Sequence, residues 1–495
     1  MDGSRAMDGA RATEDTPATH GPLDLPPDDM RALGHRVIDD LVARIEGLER
    51  DRAWDGATPD ELAPRLMEPA PEHPAAEPSR AFDAAAERLR RDVLPYGVRV
   101  DHPRFFAFVP GSPTWPGVLG DLIAAGHDVF AGTWLGSSGG AQLELAVLDW
   151  FRVWLGMPEG ASGVLTSGGS AANLAAMVAA REDRLGADWR DGVAYLTGEA
   201  HSSVHRAARV LGFAAERVRA VPMDGDLRMD PGALARAVER DAADGLRPFF
   251  VVASAGATGT GAIDPLAAIA DLALEHELWF HIDAAYGGFA VLTDRGREAL
   301  VGIERADSVT LDPHKWLFQP FEVGCLMVRD PETLRRAFHV SPDYLEDAAA
   351  RGGAVNFADR GIQLTRSARA LKVWLTVQTF GVAAIRAAID RTLDLTRAAE
   401  EMIRTSNHLE IVTPASLGIV VFRRVQGARD DRGHAAEIAD DLNRRVVEAL
   451  RLDGAGMVSS TRVDGRSVIR LCILNHRTRL EDVRRVVEWL DRWEG

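Results

Sequence analysis

Four short groups of side chains able to do chemistry occur in order along the 495-residue chain. Thr166-Ser167-Gly168-Gly169-Ser170-Ala171-Ala172-Asn173 stands directly before a helical pattern. Small residues there let backbone N–H groups approach an anion, and a helix N-terminus favours negative charge, so a phosphate is the matching guest. His201, in Glu199-Ala200-His201-Ser202-Ser203, follows a strand-like run. Asp283 closes another, in His281-Ile282-Asp283-Ala284-Ala285-Tyr286; a carboxylate there could keep a pyridine nitrogen protonated, because an adjacent opposite charge favours the charged form. Lys315, in Leu311-Asp312-Pro313-His314-Lys315-Trp316, sits among apolar neighbours. A desolvated amine favours the neutral form that attacks an aldehyde to give a Schiff base.

Each group alone has a plainer reading. A Gly-Ser turn caps a helix without any ligand. An Asp-Ala-Ala can cap a turn, a single His can be a hydrogen-bonded structural residue, and an isolated Lys can be a solvated charge. Together they supply a phosphate cradle, a flat aromatic neighbour, a carboxylate for a ring nitrogen and an amine for an aldehyde. Those are the contacts that pyridoxal 5′-phosphate (PLP) needs. Lysine usage sharpens the point: of 57 basic residues only Lys315 and Lys372 are lysines. Arginine cannot replace lysine where a deprotonatable amine is required. For Lys372, within a helical pattern and without such neighbours, chance retention suffices.

The elements that must position these groups alternate. Strand-like runs at Val193–Leu196, Val218–Pro222, Phe249–Ala253, Leu278–Ile282, Ser308–Leu311 and Cys325–Val328 are separated in several places by helical patterns such as Ala172–Arg184, Pro231–Ala243 and Leu266–Glu277. This predicts an α/β fold on a largely parallel sheet, with ligands beyond the carboxyl ends of the strands. Four divisions follow: a disordered segment 1–27, an N-terminal helical segment 28–115, a large cofactor-binding domain 116–394 and a small C-terminal α+β domain 395–495. His102–Trp115, aromatic and Pro-punctuated, reads as a packed loop, and long helices are expected near Arg366–Thr379 and from Val382.

Composition bounds the class. The chain is 46% hydrophobic and 26% charged, with net charge -17. An acidic exterior repels nucleic acid and anionic membranes at long range. Cys325 and Cys472 lie in apolar runs and read as reduced packing residues, and no apolar run is long enough to span a bilayer. A cytoplasmic enzyme with no metal site is the expectation.

The motifs resemble the group II PLP-dependent decarboxylases, and within them the aromatic L-amino acid decarboxylases. The likeness runs from about Asp28 to the C-terminus. It includes His102-Pro103-Arg104-Phe105-Phe106, Leu143-Glu144 with Asp149-Trp150, the Gly-Gly-Ser loop, His201-Ser202-Ser203, Asp283-Ala284-Ala285-Tyr286 and Asp312-Pro313-His314-Lys315-Trp316. The resemblance implies the aspartate aminotransferase-like fold (fold type I) and a homodimer with sites at the interface, the N-terminal helices packing across it. It implies that Lys315 carries the cofactor as a Schiff base, that Asp283 faces the pyridine nitrogen, and that His201 and Ala285 pack on the two ring faces. Gly169, Ser170 and His314 would bind the phosphate, with Asp312 close by, and Thr258 would support the ring site. Tyr344, in Ser341-Pro342-Asp343-Tyr344-Leu345, matches the mobile-loop tyrosine that returns a proton to Cα.

The implied reaction is decarboxylation of an L-amino acid to its amine and CO2, with an indole or phenyl side chain as the substrate class. Phe108, Val109, Pro110, Phe130 and Arg366 are the expected substrate contacts. Departures narrow this. Asp312 stands where the animal enzymes have Asn, and Gly111 where they have Thr. Phe108-Val109-Pro110 replaces Tyr-Phe-Pro, so the wall stays apolar but loses a hydroxyl. The alternatives are a decarboxylase of a non-aromatic amino acid, an aldehyde synthase, which carries Phe at the position of Tyr344, and, from a different class, a non-catalytic binder of a phosphate ligand.

Overall fold

The computed structural model describes residues 23–73, 76–109, 111–340, 352–425 and 435–494, in two units that divide between Val98 and Arg99. Of the segment 1–27, residues 1–22 lie outside the described residues. Among the described residues the first unit holds three α-helices, Pro27–Gly47, Pro59–Leu66 and Pro78–Asp92. Each opens on a proline, whose missing N–H is not needed in a first turn. The first helix buries only Leu33 of its apolar residues, while Met30, Val37 and Val42 stay exposed.

The second unit is built on a seven-stranded sheet. Its strands are β1 (Ser162–Thr166), β2 (Gly192–Thr197), β3 (Val218–Val221), β4 (Arg247–Ser254), β5 (Trp279–Asp283), β6 (Ser308–Leu311) and β7 (Gly324–Val328), in spatial order β1-β7-β6-β5-β4-β2-β3. Pairings β2–β3, β2–β4, β4–β5 and β5–β6 are parallel; β7 alone runs antiparallel to both its neighbours. β2, β5, β6 and β7 are buried at every position. That explains their continuous Val, Ile, Leu and Phe runs: a strand covered on both faces has no polar side to alternate with. The expected strands all form. β1, which sequence patterning does not single out, completes the sheet.

A second, antiparallel layer follows in the order β10-β11-β9-β8: β8 (Leu409–Ser416), β9 (Ile419–Arg424), β10 (Ser459–Val463) and β11 (Arg466–Cys472). It carries its own apolar core, including Phe422, Val446, Leu471 and Leu490. The helical stretch Ala370–Arg404 runs from the large layer into the small one and is broken at Gly381 (φ 72°, ψ 159°). The two long helices expected on either side of residue 380 thus both form and meet at a kink, with glycine where the backbone takes a positive φ. His102–Phe106 is a packed loop as expected, and it is stapled to the small layer. Phe106 N donates to Met457 O (2.7 Å), Cys472 N donates to Phe106 O (3.0 Å), and Asn475 Nδ2 donates to the carbonyls of Asp101 and His102.

Candidate active site

Five strand ends meet around one cavity of about 280 Å³. β1 leads into Ser167–Ser170, β2 into His201, β4 into Gly256 and Thr258, β5 ends on Asp283 before Ala285, and β6 leads into Asp312–Lys315. All nine residues expected to touch the cofactor — Gly169, Ser170, His201, Thr258, Asp283, Ala285, Asp312, His314 and Lys315 — line this single space. The reason is topological: strands that run the same way deliver their C-terminal ends to one edge of the sheet. β7 runs the other way, so its first residue, Gly324, reaches the same edge. A Cβ on Gly324 would stand 2.4 Å from Gly168 Cα, so β7 and the Gly-Ser loop touch backbone to backbone.

Lys315 Nζ lies 2.9 Å from Asp312 Oδ2, at the turn of the short helix Pro313–Trp316. The other oxygen, Asp312 Oδ1, is buried without a hydrogen-bond partner. A buried polar atom left unpaired is costly, which makes it a contact point for a ligand. His314 Nδ1 donates to Val323 O at 2.7 Å, fixing the ring, and Nε2 stands 3.7 Å from Asp312 Oδ2. Burial pushes the His314 imidazole below its ordinary range. Beside Asp312, Gly169 opens the 16-residue helix Gly169–Arg184. A Cβ at Gly169 would come within 3.0 Å of Asp312 Oδ2 and 3.1 Å of Ala285 Cβ, filling the cradle. Small residues, a helix N-terminus, one amine and one end-of-strand carboxylate fit a flat ring carrying a phosphate arm and an aldehyde. The donor set therefore fits PLP.

Asp283 is held from behind. Its Oδ2 accepts from Asn173 Nδ2 (2.8 Å) and its Oδ1 from Ala285 N (3.2 Å). Asn173 Oδ1 in turn accepts from Thr310 Oγ1 (2.6 Å) and faces His281 Nε2 (3.0 Å). Sequence reasoning quoted Asn173 and His281 inside motifs without giving either a task. The signal was present: Asn173 follows Gly169 by one helical turn, on the same face. His281 is fully buried, which pushes its imidazole down to about 4. His476 is pushed to about 4 in the same way, while burial pushes Asp264 up to about 6.

These shifts give an acid-stability prediction. Between pH 6.5 and 4 the unfolded chain protonates two histidines that the folded chain keeps neutral, so stability falls as the pH drops. Asp264 opposes this, because the folded chain binds its proton first between about 6 and 3.8. The balance of two histidines against one carboxyl is a net loss on the order of 3 kcal/mol. Urea midpoints measured from pH 7 to 4.5 should fall accordingly; a flat profile contradicts the assignment.

The expected substrate contacts are more scattered. Arg366 does not line the cavity: its buried guanidinium donates to Glu144 Oε1 (2.7 Å), Leu165 O (2.6 Å) and Ala131 O (2.8 Å), and lies over Phe357. Phe108, Val109 and Phe130 are also outside the lining. Phe108 reaches the rim, because Arg470 donates to the carbonyls of both Phe108 and Thr258. Pro110 and Tyr344 lie outside the described residues. Gly111 proves to be a packing position: a Cβ there would meet His314 O at 2.1 Å and Lys315 O at 2.4 Å. Lys372 is also explained. Its buried Nζ pairs with Asp121 (2.8 Å) and donates to Pro320 O and Glu322 O, so its retention has a structural cause rather than chance.

Comparison with known proteins agrees with this geometry. Residues 64–425 match the family described as pyridoxal-dependent decarboxylase conserved domain. The chain is 38% identical to an aromatic-L-amino-acid decarboxylase of Bacillus atrophaeus, covering 94% of this chain and 95% of that one. It is 30% identical to a phenylacetaldehyde synthase of Arabidopsis thaliana over 90% of this chain and 91% of the other. The crystal structure of Oryza sativa TDC with PLP and tryptamine superposes with a TM-score of 0.88 at 31% identity, covering 95% and 98% of the two chains. With strand order, cavity chemistry and family model in agreement, the chain belongs to the pyridoxal-dependent decarboxylase family and is a fold type I, PLP-dependent amino-acid decarboxylase.

Proposed function

We propose that the chain decarboxylates an aromatic L-amino acid to the corresponding amine, with Lys315 as the cofactor-bearing lysine. The observation that carries this is the convergence of Lys315, Asp283, His201 and the Gly-Ser cradle on one cavity. The aromatic class draws its support from the relatives, whose names specify aromatic amino acids and their aldehydes. PLP, when bound, supplies an electron sink for the pair left behind as CO2 departs. The protein's own residues supply the rest. The Gly168–Ser170 backbone and His314 would hold the phosphate, with Asp312 beside it. His201 and Ala285 would bracket the ring, Asp283 would keep the ring nitrogen protonated, and Thr258 would close the ring site. Lys315 Nζ, kept in place by Asp312 at 2.9 Å, is the amine that exchanges with substrate. Tyr344 would return a proton to Cα, a role that rests on the resemblance alone.

Phe108, Val109, Pro110 and Phe130 remain candidates for the apolar wall. We assign Arg366 a structural task instead, because its donors are already engaged. A homodimer is supported by large apolar side chains left exposed beside the cavity, Phe108 at its rim and Phe321 at 5.1 Å from the His314 ring. The expected packing of the N-terminal helices on a second copy draws support from the exposed apolar side chains of the first helix. A cytoplasmic setting is supported by two free, buried cysteines. No described helix is long and apolar enough to cross a membrane.

The test is a panel of L-amino acids with product analysis. Amine and CO2 from tryptophan, phenylalanine or tyrosine are expected. Aldehyde, ammonia and peroxide as main products would place the chain with the aldehyde synthases. Turnover of only acidic or small amino acids would overturn the aromatic reading.

A further inference from the structure

A chain of buried polar groups runs behind the cavity, and its donors and acceptors can be assigned from end to end. At one end the Trp279 indole N–H, which can only donate, reaches Ser308 Oγ at 2.8 Å. The single hydroxyl proton of Ser308 is then free for His281 Nδ1, also at 2.8 Å. An accepting Nδ1 leaves the proton of a neutral ring on Nε2, which faces Asn173 Oδ1 at 3.0 Å. Burial, which pushes His281 down to about 4, keeps the ring neutral. Thr310 Oγ1 donates to the same carbonyl oxygen at 2.6 Å.

The other end decides the direction, because it holds an acceptor that cannot donate. A carboxylate only accepts, so the atom 2.8 Å from Asp283 Oδ2 must be the Asn173 amide nitrogen. Its second proton goes to Ser203 Oγ at 2.9 Å, and Ser203 stands 2.8 Å from His201 Nδ1. That nitrogen also accepts from Ser203 N at 3.3 Å, which leaves Nε2 as the nitrogen of His201 that carries a proton. Flipping the amide would set its carbonyl oxygen against the Asp283 carboxylate, acceptor against acceptor, and would force His281 and Thr310 to turn from donors into acceptors. The Asp283 end rejects it.

We propose that Asn173 is a positioning residue, locked by His281 and Thr310 with its donor end toward the cavity, so that one amide holds the Asp283 carboxylate and the His201–Ser203 pair in a fixed relation. The inference takes this cavity as the cofactor site. Asn173 itself lines the cavity, so its orientation acts on whatever Asp283 and His201 contact. The titratable groups facing it are Asp283, His281 and, across Ser203, His201; Asp312 and His314 stand beside Gly168 and Gly169, at the start of the helix that carries Asn173.

Two measurements test this. Long-range proton–nitrogen NMR on the full chain, with and without PLP, should find the protons of His281 and His201 on Nε2. A proton on Nδ1 of His281 would reverse the amide and overturn the proposal, whether or not any variant folds. In the second, Asn173→Asp keeps the shape but turns the donor end into an acceptor. Its PLP dissociation constant at pH 8 should rise by about tenfold or more relative to the unaltered chain, the effect of one mismatched buried polar contact. Binding should recover toward pH 6, where the new carboxyl gains a proton and can donate to Asp283. An unchanged dissociation constant with only a lower melting temperature would mean that Asn173 is merely structural, and would overturn the proposal. If the cavity were not the cofactor site, the cofactor would fail to label Lys315 while the NMR result stood, so the two failures are distinguishable.

Discussion

Lys315→Ala is expected to lose decarboxylation by a factor on the order of 10³ or more, together with the reducible chromophore of the bound cofactor. The alanine leaves Asp312 without its 2.9 Å cation, so lost stability could be mistaken for lost chemistry. Lys315→Arg separates the two. It keeps a positive charge beside Asp312 but cannot be deprotonated, so the fold should persist without covalent cofactor. Lys372→Ala should do the reverse. It removes a buried ammonium that ties Asp121 to the carbonyls of Pro320 and Glu322, lowering the melting temperature while the cofactor stays attached. Absorbance after PLP addition and thermal melting, read on the three variants, check each part.

The second large effect concerns Arg366. Glu144 and Arg366 are both almost fully buried, and Glu144 Oε1 also accepts from Leu165 N at 2.9 Å. Leu165 belongs to β1, the strand that leads into the Gly-Ser cradle. Glu144→Ala would strand a guanidinium in the core, at a cost of about 3–5 kcal/mol. Replacing both partners with apolar residues of similar volume (Glu144→Leu with Arg366→Met) should cost less than the sum of the two single changes, because neither charge is left uncompensated; what cost remains comes from the Leu165 N–H and the carbonyls of Leu165 and Ala131, which lose their partners. Chemical denaturation of the single and double variants measures this coupling. Were Arg366 a substrate contact, its replacement would raise KM with little loss of stability; the geometry predicts the opposite split.

Much of the site was legible because each chemical motif follows an apolar run. An Asp after Trp-Phe-His-Ile, or an Asp-Pro-His-Lys after Ser-Val-Thr-Leu, reads as the end of a buried strand, and parallel strands bring such ends together. What periodicity does not carry is strand order. β1 lies beside β7, its first residue Ser162 paired with Val328 and its last, Thr166, with Gly324, and nothing local in Ser162–Thr166 announces that partner. Long-range pairing also hid the task of Arg366: its carboxylate lies 222 residues earlier, so a basic residue some twenty positions after Tyr344 reads equally well as a substrate clamp. Gly111 is a similar case. Its sequence position suggests a wall residue that lost a hydroxyl, yet backbone carbonyls of the lysine turn fill the space a side chain would need. Asn173 was visible as a residue but not as a hub, since its partners come from β5, β6 and the segment after β2.

The central claim, that Lys315 bears the cofactor, is tested most directly by borohydride reduction of the PLP-loaded enzyme followed by peptide mapping. Only two side-chain amines exist in the sequence, so the answer is close to binary. A pyridoxyl group is expected on the peptide that contains Lys315 and none on the peptide that contains Lys372. A pyridoxyl group on Lys372, or on neither lysine, would contradict the claim.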